Sequence, residues 1–289
     1  MSAEPRTLYL DLLKQCLMYS LWGDSWEPLP AHDTRAAGAR PRLRRRLLAG
    51  LERVLSWKGL CVARRVALEP ELLAEGRTWP AQGLTMIGAK RLDSLQACIE
   101  TVLAEEVSGD LIETGVWRGG ACIFMRGVLK AYGVTDRTVW AADSFEGLPR
   151  PARARYPADA GDRHHAVRFL AVPLDQVQAN FARYGLLDAQ VRFLAGWFRD
   201  TLPAAPFTTL ALARLDGDMY ESTMDALVSL YPRLSPGAFV IVDDFALAGC
   251  RNAVLDFRAQ RGIEDRIHEV DSTGIYWRNG LGSGPSSSR

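Results

Sequence analysis

Strand-like and helix-like segments alternate over residues 109–279, and this alternation restricts the possible folds more than any other feature of the chain. Five short apolar runs predict strands. These runs are residues 110–114, 138–143, 191–196, 209–216 and 238–244. Segments with the helical period lie between or after them, and clear examples open at Pro173 and span residues 248–261. Because strands that alternate with helices build a parallel sheet with helices on both faces, the sequence predicts a doubly wound α/β fold.

Two shorter strands, near residues 267–270 and 275–277, are separated by only a short link. A short link joins antiparallel neighbours, so these strands predict an antiparallel edge on a mostly parallel sheet. Residues 1–108 have the character of helices and loops, and we interpret them as a helical lid and oligomerisation segment. The Gly- and Ser-rich residues 280–289 are expected to be disordered. Residues 109–279 are the predicted core domain.

The overall charge and the cysteine pattern argue against several classes of protein. Lys and Arg number 35 against 34 Asp and Glu, so the net charge is +1 and gives no general attraction to nucleic acid or anionic lipid. The five cysteines are scattered without a CxxC pair, which favours free thiols over disulfides or a zinc site. The sequence shows no signal peptide and no apolar run of the ~18 residues that a membrane span needs. We predict a cytoplasmic protein without a nucleic-acid or membrane partner.

A glycine-rich loop, ETGVWRGG, begins at Glu113 near the end of the first strand of this domain. Glycines at such a position let the backbone approach a ligand at the start of a helix. The GxxxGG spacing differs from the GxGxxG of pyrophosphate-binding loops, and Glu113 would repel a phosphate but suit an amino or sulfonium group. We predict a small cationic cofactor that contacts Glu113, Gly115 and Trp117. The alternative is a turn that needs glycine only to reverse the chain.

The second strand ends on Asp143, 23 residues beyond Gly120. An acidic residue at this position can accept hydrogen bonds from both ribose hydroxyls of a nucleoside cofactor. Ser144 can add a hydrogen bond, and Trp197, after the third strand, is placed to cover an adenine ring. The alternatives are an aspartate that caps a turn and a tryptophan that belongs to the core.

Three aspartates follow two neighbouring strands of the predicted sheet: Asp216, Asp243 and Asp244. Carboxylate clusters suit hard cations such as Mg²⁺, Mn²⁺ or Ca²⁺, and without a cation they repel one another. We therefore predict a metal site on these residues, with a positively charged substrate as the alternative. We leave Asp218 out of this site, because Asp218 and Glu221 have the spacing of a capping box at the start of a helix.

Such a metal ion can bind a substrate hydroxyl, lower its pKa and orient it toward a sulfonium methyl group. Asp216 is the predicted proton acceptor. His164 and His165, in a long polar loop, are rival candidates for proton transfer.

Six motifs occur in order along the chain: ETGVWRGG, ADSFEGLP, YPADAGDRHH, FLAGWFRDTLP, RLDGDMYEST and VIVDDF. On these motifs the chain resembles the macrocin O-methyltransferase family of actinomycete antibiotic biosynthesis, over roughly residues 84–278. The resemblance implies a class I methyltransferase (Rossmann-like) fold, S-adenosylmethionine as the methyl donor, Mg²⁺ dependence and a homodimer or higher homo-oligomer. The chain looks closest to members that methylate deoxysugar hydroxyls on glycosylated natural products.

The resemblance also implies roles for individual residues. Residues that match the metal-binding aspartates are Asp216, Asp243 and Asp244, with Asp216 also the proposed base. Residues that match the S-adenosylmethionine site are Glu113, Gly115, Asp143 and Ser144. The stretch that resembles the segment closing over the cofactor is Thr85, Met86, Ile87 and Gly88. Residues 109–279 are accordingly assigned as an S-adenosylmethionine-binding methyltransferase domain.

Residues 24–65 are unusual for the family because they are rich in arginine. The arginines assigned to a predicted helix are Arg40, Arg42, Arg44, Arg45, Arg46, Arg53, Arg64 and Arg65. We favour a solvated face or a subunit contact for this helix over a lid that meets an acidic or bulky substrate.

Several other functions compete with a metal-dependent O-methyltransferase that uses Mg²⁺ or Mn²⁺. The first is a metal-independent methyltransferase acting on a phenol, and the second is a noncatalytic S-adenosylmethionine-binding protein. A nicotinamide-dependent oxidoreductase is disfavoured by the GxxxGG loop and Glu113. Nucleic-acid methylation is disfavoured by the charge balance and by the lack of interleaved basic and aromatic residues.

Overall fold

The computed structural model describes residues 3–28, 50–51 and 53–280 and contains a seven-stranded sheet and a separate two-stranded sheet. The strands are β1 (Ser25–Pro28), β2 (Ala63–Val66), β3 (Asp110–Thr114), β4 (Val139–Asp143), β5 (Val191–Ala195), β6 (Leu210–Leu215), β7 (Leu234–Val242), β8 (His268–Glu269) and β9 (Ile275–Arg278). The helices are α1 (Ala3–Met18), α2 (Pro70–Ala74), α3 (Ala89–Ala104), α4 (Gly120–Ala131), α5 (Leu174–Arg183), α6 (Phe198–Thr201), α7 (Tyr220–Leu230) and α8 (Ala248–Arg261). Short 3-10 turns are Ser20–Trp22, Pro157–Asp159, His164–Ala166, Arg168–Leu170 and Tyr231–Arg233.

The large sheet has the strand order β5-β4-β3-β6-β7-β9-β8 and confirms the predicted class I methyltransferase architecture. Strands β3 to β7 are parallel, whereas β9 runs antiparallel to both β7 and β8. Strand β6 is buried along its whole length, as expected for a central strand covered on both faces. Since crossovers are right-handed, the helices after β3 and β6, which lead to opposite edges, cover opposite faces of the sheet.

Two helices from the N-terminal segment pack on this core. Helix α1 contacts α4, and α3 contacts α4, β6 and β7. Leu10, Leu17 and Leu92 are fully buried in these contacts, so burial of apolar side chains joins the N-terminal helices to the sheet. The boundary proposed at residue 108 stays a prediction.

The arginine-rich region differs from the predicted helix where the structure describes it. Arg64 and Arg65 lie on β2, which pairs with β1 to form a two-stranded antiparallel sheet, so their assignment to a helix is wrong. The cause is cross-strand pairing: Arg64 forms an ion pair with Glu27 at 2.9 Å, and Arg65 pairs with Asp24. Arg53 is helical. Arg40, Arg42, Arg44, Arg45 and Arg46 lie outside the described residues, as does the tail 281–289.

Large apolar side chains are exposed along the first part of the described chain. They include Leu8, Trp22, Trp26, Val54 and Trp57, whose exposed fraction reaches 96% at Trp57. Exposed apolar side chains are typical of interaction surfaces where they form one patch, and the homo-oligomer stays a prediction. In the described part of the chain, none of the helices combines the length and apolar character required to cross a bilayer.

Candidate active site

A cleft opens where the chain connections of the large sheet change direction, between β3 and β6. From β3 the chain passes to β4 and β5 on one side, and it then returns to β6 and β7 on the other. Doubly wound sheets bind their ligands beyond the strand carboxyl ends at such a switch point. The cleft has a volume of about 740 Å³, including the part open to solvent. The predicted site residues that line it are Met86, Gly115, Trp117, Asp143, Ser144, Trp197 and Asp216.

The glycine-rich loop lets β3 and β6 approach closely at the floor of the cleft. Gly115 has a φ of 89°, and any side chain there would collide with the backbone carbonyl of Asp216. Glycine is therefore required at residue 115 both by its backbone conformation and by the neighbouring strand end. Trp117 projects from the same loop, and its indole Nε1 donates a hydrogen bond to the carbonyl of Phe169 at 2.9 Å.

Asp143 fixes this loop from the end of β4. One carboxylate oxygen accepts a hydrogen bond from the backbone N–H of Val116 at 2.6 Å, and the other accepts one from Phe145 at 2.7 Å. Burial raises the pKa of Asp143, whereas these hydrogen bonds lower it, and the net shift is upward. Its neighbour Ser144 donates from Oγ to the carbonyl of Gly147 at 2.6 Å, which shapes the next turn.

The segment Thr85–Gly88 packs against the N-terminus of α4. A side chain at Gly120 would collide with the carbonyl of Leu84 and lie 2.6 Å from the Thr85 side chain, so the two segments are in close contact. Met86 lines the cleft, whereas Thr85 is buried outside it and its Oγ1 accepts a hydrogen bond from the N–H of Ile87 at 3.3 Å. The structure thus brings only one of these two predicted cofactor residues to the cleft wall.

Glu113 is placed differently from the sequence prediction of a cofactor contact. Its side chain is 2% exposed and does not line the cleft. It accepts a hydrogen bond from Cys122 Sγ at 2.8 Å and forms an ion pair with Arg214. Burial raises the pKa of Glu113 to about 7, although the positive charge of Arg214 opposes the rise. In this structure the Glu113 carboxylate links β3 to β6 through Arg214, beneath the glycine-rich loop.

The predicted aspartate cluster is brought together at the ends of β6 and β7. Asp216, Asp243 and Asp244 each offer a carboxylate oxygen, and these oxygens all lie within 4.8 Å of one another. Burial, followed by the charges of Asp218, Asp216 and Asp243, raises the pKa of Asp244 well above its ordinary value. An oxygen-only donor set with repelling charges is the arrangement that binds a hard divalent cation.

Two arginines, Arg214 buried and Arg91 partly buried, partly neutralise the aspartates, and sequence reasoning did not identify either of them. Arg214, 2% exposed on β6, contacts Asp216 at 2.9 Å and Asp243 at 2.6 Å in addition to Glu113. Arg91, on α3, forms ion pairs with Asp243 and with Asp271, the latter at 2.9 Å. The available signal for Arg214 was a basic residue within the otherwise apolar run that precedes Asp216.

Asp218 and His164 extend the acidic cluster toward the long loop after β4. Asp218 lies in the cleft wall, and burial followed by the charge of Asp216 raises its pKa to about 7. The ring of His164 contacts the Asp162 carboxylate at 2.6 Å. Burial lowers the pKa of His164, but the hydrogen bond to Asp162 and the charge of Asp218 outweigh it, so its pKa is raised. His165 instead lines an adjoining groove.

The capping box predicted from Asp218 and Glu221 is wrong. Helix α7 starts at Tyr220 without a local side-chain cap, and Asp218 adopts a left-handed backbone conformation with φ of 56°. Asp159, from the long loop, provides the cap: its carboxylate accepts hydrogen bonds from the N–H groups of Tyr220 at 2.7 Å and Glu221 at 2.9 Å. A carboxylate distant in sequence thus replaces the local cap and fixes the loop to the helix beside the cleft.

Replacing Asp159 by alanine is expected to lower the free energy of unfolding by about 1–2 kcal/mol, since the helix loses its cap and a buried loop contact. Urea denaturation measures this change. The matched control is Asp136→Ala, at an exposed position, and equal losses in the two variants would contradict a capping role.

Comparisons with known proteins agree with this geometry. The model of the family described as Macrocin-O-methyltransferase (TylF) matches residues 6–279, so the match begins well before residue 84 and spans the N-terminal segment. A solved structure titled "Structure of the O-methyltransferase NovP" is 44% identical, with a TM-score of 0.79, and the match covers 94% of this chain and 98% of that one.

Two relatives have named activities. The 8-demethyl-8-(2,3-dimethoxy-alpha-L-rhamnosyl)-tetracenomycin-C 4'-O-methyltransferase of Streptomyces olivaceus is 60% identical over 219 residues, 75% of this chain and 83% of the relative. The mycinamicin III 3''-O-methyltransferase of Micromonospora griseorubida is 54% identical over 215 residues, 73% of this chain and 85% of the relative. The chain therefore belongs to the macrocin O-methyltransferase family and is a methyltransferase.

Proposed function

We propose that the protein transfers a methyl group from S-adenosylmethionine to a sugar hydroxyl of a glycosylated natural product, most specifically a deoxysugar in antibiotic biosynthesis. The observation that carries this proposal is a cleft that extends from Asp143 to Asp216, the member of the aspartate cluster that lines it, whereas Asp243 and Asp244 lie behind the cleft wall. The donor and the acceptor hydroxyl can thereby meet in one place. The rhamnosyl group in the name of the Streptomyces olivaceus relative supports a deoxysugar acceptor.

For the cofactor, we assign the end of the cleft that is formed by the glycine-rich loop and β4. Asp143 accepts short hydrogen bonds from Val116 and Phe145, whereas the contacts of Trp117 and Ser144 with its remaining lone pairs are long, at 3.4 Å each, and can give way to a ligand. These lone pairs suit the ribose hydroxyls. Trp197 and Met86 add apolar wall for the adenine and the thioether. Gly115, Trp117 and Ser144 complete this end of the cleft. Glu113 and Thr85 do not line the cleft and would support the residues that do.

For the metal, we propose that Asp216, Asp243 and Asp244 hold Mg²⁺ or Mn²⁺. The residues present fit such an ion, because their oxygens converge. Arg91 and Arg214 neutralise only part of the negative charge of the surrounding carboxylates, so a cation is still attracted. When bound, the ion would lower the pKa of an acceptor hydroxyl and orient it.

Asp216 is the proposed proton acceptor because it lines the cleft and belongs to the aspartate cluster. When bound, S-adenosylmethionine would supply an electrophilic methyl carbon to the acceptor oxygen, and the electron pair of the broken carbon–sulfur bond would stay on its sulfur. The hydroxyl proton passes to the Asp216 carboxylate. Arg214 holds this carboxylate at 2.9 Å and so fixes its orientation in the cleft.

Removing divalent metal with a chelator is expected to lower the rate of methyl transfer about a hundredfold or more, because the ion supplies several kcal/mol of stabilisation. Added Mg²⁺ should restore the rate. Methylation of a deoxysugar glycoside is followed by mass spectrometry, and chelator already saturated with Mg²⁺ is the control. Full turnover in chelator would favour the metal-independent methyltransferase instead.

A further inference from the structure

A second groove continues from the cleft toward the protein surface. The two share Leu148, Pro149, Trp197 and Arg199 as common walls, so a single ligand can extend from one into the other. The groove has a volume of about 1020 Å³, including its open side. Its shared wall is largely apolar, since Leu148, Pro149 and Trp197 form it beside Arg199.

Basic side chains predominate among the charged residues of the groove. Arg150 and Arg199 line it together with His165, and Glu146 is the acidic residue. Arg150 is exposed, and the Arg199 side chain is 48% exposed although it contacts Glu221 at 3.2 Å. The Arg150 guanidinium can therefore reach a ligand in the groove, where Arg presents a fork of donors to an anionic oxygen, whereas Arg199 already pairs with Glu221 and Asp200.

The cleft has the opposite charge. Its walls at the aspartate end carry Asp216, Asp218, Glu221 and Asp225. Burial and the charge of Glu221 raise the pKa of Asp225 to about 6, which reflects the acidic surroundings. A ligand that spans both cavities therefore meets an acidic end and a basic end. An anionic group attached to the sugar would be repelled from the first and attracted to the second, which fixes the direction of binding.

We propose that this groove, formed around Arg150, Arg199 and Trp197, binds an anionic group carried by the sugar whose hydroxyl is methylated. The inference rests on the proposed function, since it assigns the other end of the same acceptor. Two kinds of acceptor have this chemistry. One is a glycoside whose aromatic aglycone bears an ionised phenol or carboxyl, and the other is a nucleoside-diphosphate sugar. In both, a planar ring can pack on the apolar side chains of Leu148 and Pro149 while the anionic oxygens meet Arg150.

The test compares two pairs of ligands, of which the first differs only in charge and the second sets a nucleoside-diphosphate sugar against a neutral glycoside. The probes are 4-carboxyphenyl rhamnoside and its neutral isostere 4-carbamoylphenyl rhamnoside, with thymidine-diphosphate rhamnose against methyl rhamnoside as the second arm. Calorimetry in the presence of S-adenosylhomocysteine gives the Kd of each. We expect the anionic member of at least one pair to bind about threefold to fivefold more tightly, as for an exposed ion pair, and the preference should decline with added salt.

Arg150→Glu should abolish or reverse that preference, and Arg150→Lys should retain most of it. Arg153→Glu is the matched control, because Arg153 is an exposed arginine of the same loop that lines neither cavity. The arm that shows the preference identifies the source of the anionic group. Equal affinities within both pairs, or a preference that Arg150→Glu leaves unchanged, would overturn the inference.

Turnover of the same probes separates this inference from the proposed function. Methylation of the rhamnosides with no charge preference would refute the inference about the groove and leave the proposed function supported. A charge preference in binding that depends on Arg150, with no methyl transfer to any probe, would refute the proposed function. The groove would still be supported as an anion-binding site.

Discussion

Replacing Asp216 by asparagine is expected to lower kcat by about 10²–10⁴-fold, the usual contribution of a positioned proton acceptor. Asparagine keeps the size of the side chain and one oxygen, but it removes the charge and the basic oxygen from the cleft. Arg214 would lose one ionic partner and keep Glu113 and Asp243. The affinity for S-adenosylhomocysteine should stay within about twofold, because Asp216 does not belong to the Asp143 end of the cleft, where the cofactor is proposed to bind.

Initial rates at saturating cofactor and Mg²⁺ give kcat, and calorimetry gives the affinity for the cofactor product. Asp136→Asn is the matched control, since Asp136 is exposed and lines neither the cleft nor the groove. A kcat within twofold of the unsubstituted protein would remove Asp216 from the proton transfer. In a noncatalytic cofactor-binding protein, neither variant would change anything measurable.

Replacing Arg214 by methionine is expected to lower the free energy of unfolding by about 3–5 kcal/mol, the loss seen when one partner of a buried ion pair is removed. The guanidinium contacts Glu113, Asp216 and Asp243, and its side chain is 2% exposed. Methionine fills much of the space but leaves the carboxylates without their shared cation. Urea denaturation at neutral pH measures the loss.

A double variant gives the control for this prediction. Arg214→Met combined with Glu113→Gln removes the charge that would otherwise be buried without a partner, so it should lose less stability than Arg214→Met alone. A loss below about 1 kcal/mol in the single variant, or a double variant that is simply additive, would show that the ion pairs of Arg214 do not hold the strand ends together.

The positions of the aspartates could be predicted because they follow from the sheet topology. Alternating strands and helices predict a parallel sheet, and a parallel sheet places the ends of β4, β6 and β7 at one edge. Asp143, Asp216 and Asp243 therefore converge wherever the strands are correctly located. The strand boundaries shifted by a few residues, as at β7, which starts at Leu234 rather than 238, without moving these carboxyl ends.

The counter-charges could not be predicted, because they depend on contacts between residues distant in sequence. Arg91 is 152 residues from Asp243, and Asp159 is 61 residues from Tyr220. Neither contact has a local periodic signal. The error at Asp218 has the same origin: a local capping pattern was present, but the distant Asp159 occupies the helix N-terminus.

Glu113 shows a second limit of prediction from position alone. The end of β3 was correctly located, but the last four residues of this central strand are all buried, and the cleft is lined from Gly115 onward. The buried partner Arg214 on the neighbouring strand accounts for the carboxylate there. A charged residue in each of two adjacent apolar strands, Glu113 in β3 and Arg214 in β6, was the available indication of such a pair.

Transfer of a trideuterated methyl group to an acceptor with two kinds of hydroxyl tests the central claim most directly. The protein is incubated with Mg²⁺, S-adenosylmethionine labelled in its methyl group, and 4-hydroxyphenyl rhamnoside, which carries both a phenol and sugar hydroxyls. Fragmentation by mass spectrometry then locates the label. The proposed function predicts a labelled methyl group on the sugar. A label on the phenol, or no transfer by protein that binds the cofactor, would contradict it.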